Sequence, residues 1–192
     1  KALRARAPDV AVSVSSEVQP EFREYERLST TVLNAYLQPV MSRYLETLEA
    51  GIAKRAPNAS LGINQSNGGL MSVGRSREFP VRTALSGPAA GAVGAAHAAR
   101  QIGRRNIITL DMGGTSADVA LIRDYKVDLA FDRDVAGFPI RMPCVDVETV
   151  GAGGGSVAWF DRDGLLKAGP KSAGAYPGPA CYGNGGTEPT TT

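Results

Sequence analysis

The sequence predicts an α/β fold, and three observations carry that prediction. Residues 107–122 read as strand, glycine turn, strand. Residues 21–55 carry apolar side chains at three- and four-residue steps, the pattern of an amphipathic helix. Residues 83–100 join a serine, a proline and an alanine-rich run, which supply a helix start and its body.

At 192 residues the chain has room for one full domain or two small ones. With 43% apolar residues it can bury a core, and a net charge of +2 is too small to argue for a nucleic-acid or polyanion partner. The basic Lys1–Arg6 end reads as a solvated terminus. No apolar run reaches the length of a membrane span and the N-terminus lacks a signal-peptide core, so a cytoplasmic location without membrane contact is expected. Cys144 and Cys181 lie far apart with no C-x-x-C spacing, which argues against a zinc site or a disulfide framework and suits a reducing compartment. The chain begins without methionine and stops at Thr190-Thr191-Thr192 in the middle of a pattern, so it reads as a piece of something longer.

Taken in order, Val10 to Val14 alternates and predicts a short strand, and Ser15 to Pro20 a loop. The helix over Glu21–Arg55 places Tyr25, Leu28, Val32, Tyr36, Val40, Tyr44, Leu48 and Ile52 on one face, expected to be core. Pro39 removes a hydrogen bond and clashes with the Ala35 carbonyl, so a kink or split is expected there. Gly51, or Ala56-Pro57-Asn58, ends the helix. Ser60 to Gln65 is a strand candidate. Ser66-Asn67-Gly68-Gly69 is either a plain turn or a polar loop at a strand's carboxyl end, where open α/β sheets bind ligands. Gly74 to Pro80 reads as polar linker. In the next helix Ser86 can cap and Pro88 fits the first turn. Gly87, Gly91 and Gly94 share one face, for close packing or for a ligand at the helix start. His97 has no Cys or carboxylate at ligand spacing and reads as structural.

The stretch 107–122 carries the chemistry. Residues 107–110 are apolar and partly β-branched, as a buried strand should be, and Asp111 stands at their end. Gly113 and Gly114 remove two side chains, so backbone N–H groups can approach something bulky and negative. Thr115 and Ser116 add hydroxyls, and Val119 to Ile122 returns as a strand. The acid suits a metal and the bare amides suit phosphoryl oxygens. Gly-Gly between apolar runs is also an ordinary hairpin turn, so spacing alone leaves both readings open.

Lys126 to Asp132 alternates as a third strand, giving an antiparallel meander that fits a ribonuclease H-like half. Ile140 to Val150 reads as extended, with Asp146 and Glu148 on one face, either paired acid–base or metal groups or simply a wet strand face. Gly151-Ala152-Gly153-Gly154-Gly155-Ser156 marks a pinned loop or a close approach, and its flanks exclude a nicotinamide fold. Val157 to Phe160 resumes a strand, and Asp161-Arg162-Asp163-Gly164 turns into Leu165 to Ala168. Gly169 to Gly186 is long and loop-like, as lids and binding loops are, with Cys181 read as structural.

Several of these segments, in order and over nearly the whole chain, resemble the hydantoinase A/5-oxoprolinase family of the actin-like ATPase superfamily. They are Glu24–Leu37, Gln65–Gly69, Leu85–Gly91, Asp111–Asp118, Val150–Ser156, Gly169-Pro170, and Pro177-Gly178-Pro179-Ala180-Cys181-Tyr182-Gly183. Two positions depart from the family's pattern: Tyr176 stands where Asp is usual, and Ala117 where Thr is frequent. The family's earlier Asp-x-Gly-Gly-Thr loop is not in this chain. The resemblance implies a partial actin-like fold, with residues 1–84 ending the first lobe and 85–192 opening the second. It also implies an enzyme that uses ATP and Mg²⁺ to phosphorylate the amide oxygen of a cyclic amide, such as a hydantoin or 5-oxoproline, before the ring opens. Asp111 would hold the metal and count as catalytic, with Asp118 orienting the metal's waters or bracing the turn. Gly113, Gly114, Thr115 and Ser116 would bind the cofactor, as would Gly153, Gly154, Gly155 and Ser156. A hydantoinase B-type subunit or domain is the implied partner, within an oligomer. A ketone carboxylase subunit is the alternative within the family, and a non-catalytic interaction segment the alternative outside it. The isolated 192 residues are expected to be inactive, because both lobes must close on ATP.

Overall fold

A computed structural model describes residues 2–7 and 10–192; Lys1 of the basic end lies outside them. Helices α1 (Ala2–Arg6), α2 (Ser15–Val18) and α3 (Glu24–Arg55) come first, then β1 (Gly62–Asn64), β2 (Leu70–Ser72), α4 (Val73–Glu78) and α5 (Ser86–Gln101). The strands β3 (Ile107–Met112), β4 (Ala117–Arg123), β5 (Lys126–Val127), β6 (Leu129–Val135), β7 (Phe138–Val145), β8 (Val147–Val150), β9 (Ser156–Phe160) and β10 (Leu166–Ser172) follow. Short 3-10 turns occupy Pro80–Thr83 and Ala180–Tyr182. The mixed α/β composition agrees with the expectation. The chain divides into two units, residues 1–93 with 129–145, and residues 94–128 with 146–192.

In the first unit, β7 alternates so that Ile140, Met142 and Cys144 face one way. They form a core with Val18, Phe79 and Val81. The centre of α3 docks on this core through polar side chains. Asn34 is fully buried: its Nδ2 donates to Ser13 Oγ and to the Glu78 carbonyl, each at 2.9 Å, and its Oδ1 accepts from Val81 N–H at 3.3 Å. Thr30 Oγ1 donates to Glu26 O at 2.7 Å and accepts from Arg141 N–H at 3.0 Å, which ties α3 to β7. Arg141 also bonds Glu21 and Asp132, and these bonds hold its pKa above the usual value.

Several local expectations need correcting here. Residues 10–14 form no strand, and Ser15–Val18 is a helical turn rather than a loop. Residues expected as linker form α4, whose start is capped by Ser72 Oγ accepting from Arg75 N–H at 3.3 Å. Helix α3 is not split at Pro39: one missing bond does not end 32 residues pinned on both sides by Thr30, Thr31, Asn34 and Leu45. It ends at Arg55, with Ala56 as its C-cap. The tyrosine stripe is exposed rather than core. Tyr25, Leu28, Val32, Tyr36, Val40 and Tyr44 are all more than half exposed, because the small and polar face of the helix is the one that meets the core.

In the second unit, β3 and β4 pair antiparallel from Ile107↔Ile122 to Met112↔Ala117. The far edge of β4 carries β5 at one end and β8 at the other, with Ala117↔Val150 and Asp118↔Thr149 in register. The expected third strand is therefore interrupted: β5 ends at Val127, and β6 leaves to pair with β7 in the other unit's sheet. Residues 107–110 are not buried as expected, since Ile108 and Leu110 are exposed on one face of the sheet while Ala120 and Ile122 fill the other. The β9–β10 hairpin forms as expected, its turn closed by Asp161 Oδ1, which accepts from Asp163 and Leu165 N–H. The loop after β10 folds on itself, and at Gly186 a Cβ would lie 2.1 Å from the Gly178 carbonyl oxygen. Cys181 on this loop is exposed, so it is not the buried residue its type suggests.

Candidate functional site

The candidate site is built around the tip of the β3–β4 hairpin. Gly113 N–H donates to Ser116 O at 2.9 Å and closes the tip. The N–H groups of Gly114, Thr115 and Ser116 have no acceptor among the described residues, and neither do the hydroxyls of Thr115 and Ser116. Gly113, Gly114 and Thr115 are exposed. Local structure does not demand glycine here. Neither Gly113 nor Gly114 adopts a left-handed φ, and a Cβ on Gly114 would meet nothing within 4 Å. What the missing side chains leave is a run of donors without an acceptor among the described residues.

Behind the tip, Asp111 and Asp118 are direct cross-strand partners, so their side chains share one face of the sheet. Thr149 stands next in the same row, and its Oγ1 donates to Asp118 Oδ1 at 2.6 Å. Sequence reasoning missed Thr149, since nothing marks one threonine before the glycine loop. Glu148 pairs with Val119, one residue out of step, and so faces the opposite side of the sheet from Asp111 and Asp118. Asp146 falls between β7 and β8, its N–H donating to Asp128 O at 2.9 Å. The structure does not gather the four acids into one cluster: among the described residues no group of three or more His, Cys, Asp or Glu is placed to hold a metal.

The triple glycine packs directly on the hairpin tip. Gly154 N–H donates to Gly113 O at 2.9 Å and Gly155 N–H to Gly114 O at 2.7 Å. Gly153 N–H donates to Ser156 Oγ at 2.9 Å, and Ser156 is buried. A Cβ on Gly153 would lie 2.5 Å from Thr115 N and 2.6 Å from both Gly113 O and Ser116 N. No side chain fits, so glycine is required for this backbone-on-backbone contact. The loop is held in turn by Ala173 N–H to Gly155 O at 2.8 Å, Thr192 N–H to Gly154 O at 3.0 Å and Thr191 N–H to Ser156 O at 3.0 Å. The N–H groups of Gly153, Gly154 and Gly155 are thus spent inside the chain, whereas those at the tip are not.

The other glycine motifs differ. On α5, a Cβ at Gly87, Gly91 or Gly94 would meet nothing within 4 Å, so none of the described residues packs closely on that face. His97 is exposed, its ring 3.2 Å from the Gln101 amide. No helix among the described residues is long and apolar enough to cross a membrane.

Residues 27–192, which include this hairpin, fit the Hydantoinase/oxoprolinase family model. The chain belongs to the hydantoinase/oxoprolinase family. It is 47% identical over 190 residues to caprolactamase subunit alpha of Pseudomonas jessenii, covering 99% of this chain and 27% of that one. The crystal structure of the ATP-dependent caprolactamase from that organism superposes with a TM-score of 0.85 at 46% identity, over 100% of this chain and 28% of the other. The 5-oxoprolinase of Saccharomyces cerevisiae is 40% identical over 179 residues, 91% of this chain and 13% of that protein. A nucleotide-free structure of an ATP-dependent acetone carboxylase gives a TM-score of 0.72 at 32% identity, over 92% of this chain and 25% of that one. The chain thus resembles part of each of these structures and spans roughly a quarter or less of each relative's length.

Proposed function

We propose that these residues form the phosphate-and-metal end of an ATP-dependent enzyme that opens cyclic amides, within an actin-like lobe that begins near residue 85. The observation that carries the reading is the bare hairpin tip beside two opposed carboxylates: unbonded N–H groups at Gly114, Thr115 and Ser116, with Asp111 and Asp118 side by side behind them.

The donor set fits the groups it would hold. Phosphoryl oxygens suit consecutive unbonded N–H groups and the Thr115 and Ser116 hydroxyls. Two carboxylates directly opposite each other repel, and a cation between them removes that cost. With only two acids at hand, the ion would complete its shell from water and phosphate, the habit of Mg²⁺ rather than of zinc. Asp111 is the ligand of choice because it is exposed and has no internal bond, whereas Asp118 is already oriented by Thr149. Mg-ATP bound here would supply the phosphoryl group that makes an amide carbonyl open to attack by water. The chain's own residues position the phosphate through N–H and hydroxyl donors, and the Gly153–Ser156 loop braces the tip through the carbonyls of Gly113 and Gly114.

The likeness to the acetone carboxylase structure favours a second reading of the same site, in which the phosphorylated species is carboxylated instead of hydrolysed. A partner subunit is proposed in either case, since the caprolactamase relative is itself a subunit. The test is Mg-ATP hydrolysis by the full-length protein with and without a lactam or a ketone plus bicarbonate. Lactam-stimulated turnover lost in Asp111→Ala supports the reading. Undiminished turnover and nucleotide affinity in that variant overturn the site assignment.

A further inference from the structure

We propose that Thr149 is a positioning residue for the cation of the hairpin site: its hydroxyl fixes the Asp118 carboxylate so that one oxygen is left on the side of Asp111. The proposal rests on the nucleotide reading above and adds to it the residue that sets the metal requirement.

Topology leaves little freedom in how Asp118 is held. Strand β4 runs between β3 and β8, so Asp118 has Asp111 as cross-strand partner on one side and Thr149 on the other. Cross-strand partners share a face, and the three side chains stand in one row. Thr149 Oγ1 donates to Asp118 Oδ1 at 2.6 Å, the length of a charge-assisted bond. The two oxygens of a carboxylate diverge. With Oδ1 drawn to β8, Oδ2 is turned away from β8, the side on which Asp111 stands, and it has no hydrogen-bond partner among the described residues.

The fold itself does not ask for this hydroxyl. Thr149 is exposed, so water could take its proton, and valine would serve the strand equally well. Asp118 is half-buried, and two residues along its strand the buried Ala120 lies on the same face. A β-branched side chain is stiff at its first torsion, which makes threonine a firmer director than serine would be. An aspartate that ligates a cation, or the cation's waters, must give up its side-chain rotation. The Thr149 bond imposes that order before the ion arrives.

The same segment reaches the phosphate end. Residues 147–156 run from β8 straight into the glycine loop. The pair Ala117↔Val150 follows Asp118↔Thr149, and Gly154 and Gly155 N–H then donate to the Gly113 and Gly114 carbonyls at 2.9 and 2.7 Å. One continuous strap holds the acid through a hydroxyl and the tip through amides. The two holds are separable, because removing the hydroxyl leaves every amide bond in place. Metal dependence and phosphate binding should therefore come apart in a Thr149 variant.

The test measures the ADP affinity of the full-length protein against free Mg²⁺ concentration, and again with the metal removed by a chelator. Thr149→Val keeps the branched shape and loses only the hydroxyl. It should raise the Mg²⁺ needed for half-maximal effect by about tenfold or more, the usual result of removing a group that orients a metal-binding side chain. The affinity in chelator should stay at the wild-type value. Thr149→Ser, which returns the hydroxyl, should restore the wild-type Mg²⁺ dependence. In an Asp118→Ala background Thr149→Val should add nothing, since the carboxylate it acts through is gone. A wild-type Mg²⁺ dependence in Thr149→Val, or an undiminished further loss in the Asp118→Ala background, would overturn the proposal. Thr149→Ala gives the same comparison should the valine variant fail to fold. Asp111→Ala tells the two failures apart. If it too keeps the wild-type Mg²⁺ dependence, the site reading falls and the proposal with it, whereas an Asp111 effect without a Thr149 effect overturns the proposal alone.

Discussion

Asp111 on β3 and Asp118 on β4 stand directly opposite each other, two residues back from the hairpin tip on either side. Like charges so placed destabilise a ladder by about 0.2–1 kcal/mol. Asp118→Asn keeps the shape, and its side-chain oxygen still accepts from Thr149 Oγ1. The metal-free chain should therefore become more stable by about that amount in urea denaturation. The same variant in the full-length protein should lose about tenfold or more in Mg-nucleotide affinity, the value of a bond to a charged group. Stability and affinity moving in opposite directions is the signature of a site. A turn that merely contains two acids would show only the first effect.

Gly114 and Gly153 make a matched pair for the role of the bare backbone. A Cβ at Gly114 meets nothing, so Gly114→Ala should leave stability within about 0.5 kcal/mol of wild type while reducing nucleotide affinity by shielding the tip amides. A Cβ at Gly153 collides with three backbone atoms of the tip, so Gly153→Ala should lower both. Gly151→Ala, where a Cβ also meets nothing within 4 Å, is the neutral control. Thermal unfolding and nucleotide titration on the three variants check the ordering.

Asn34 holds together α3, the segment at Ser13 and the turn at Glu78–Val81. Asn34→Ala leaves the buried Val81 N–H without its partner, while the Glu78 carbonyl keeps only the Gln38 Nε2 donor at 2.9 Å. It should cost about 1–3 kcal/mol in urea denaturation, with the loss confined to the first unit and the hairpin tip's nucleotide affinity unchanged.

Cys144 is buried in the first unit's core, and burial is the main cause that pushes its thiol pKa up, against smaller opposing effects from Arg133 and a Ser66 hydrogen bond. The folded chain then holds this proton more tightly than the unfolded chain. Its contribution is fully present below the ordinary thiol value of about 8.5 and is lost as pH rises above it. Stability of wild type should fall on that alkaline limb, and Cys144→Ala should flatten the fall. Denaturation midpoints between neutral and alkaline pH give the comparison.

Much of the second unit was legible because glycine and Asp are local signals. The hairpin at 107–122, its Asp-Met-Gly-Gly-Thr-Ser turn and the Asp161–Gly164 turn all follow from short-range backbone chemistry. The triple glycine was read as a close approach, yet what it approaches, the carbonyls of Gly113 and Gly114, depends on a contact forty residues away that no local pattern encodes. Helix α3 shows the same limit. Its period was visible, but which face would be buried was not, because Asn34 and Thr30 find partners on β7 and near Glu78 that only the tertiary fold supplies.

The most direct measurement is a structure of the full-length protein crystallised with Mg-ADP. Terminal phosphate oxygens should lie within hydrogen-bond distance of the N–H groups of Gly114, Thr115 and Ser116, with a metal held by Asp111 directly or through one water. Nucleotide bound elsewhere, with these three N–H groups facing solvent or covered by apolar side chains, would contradict it.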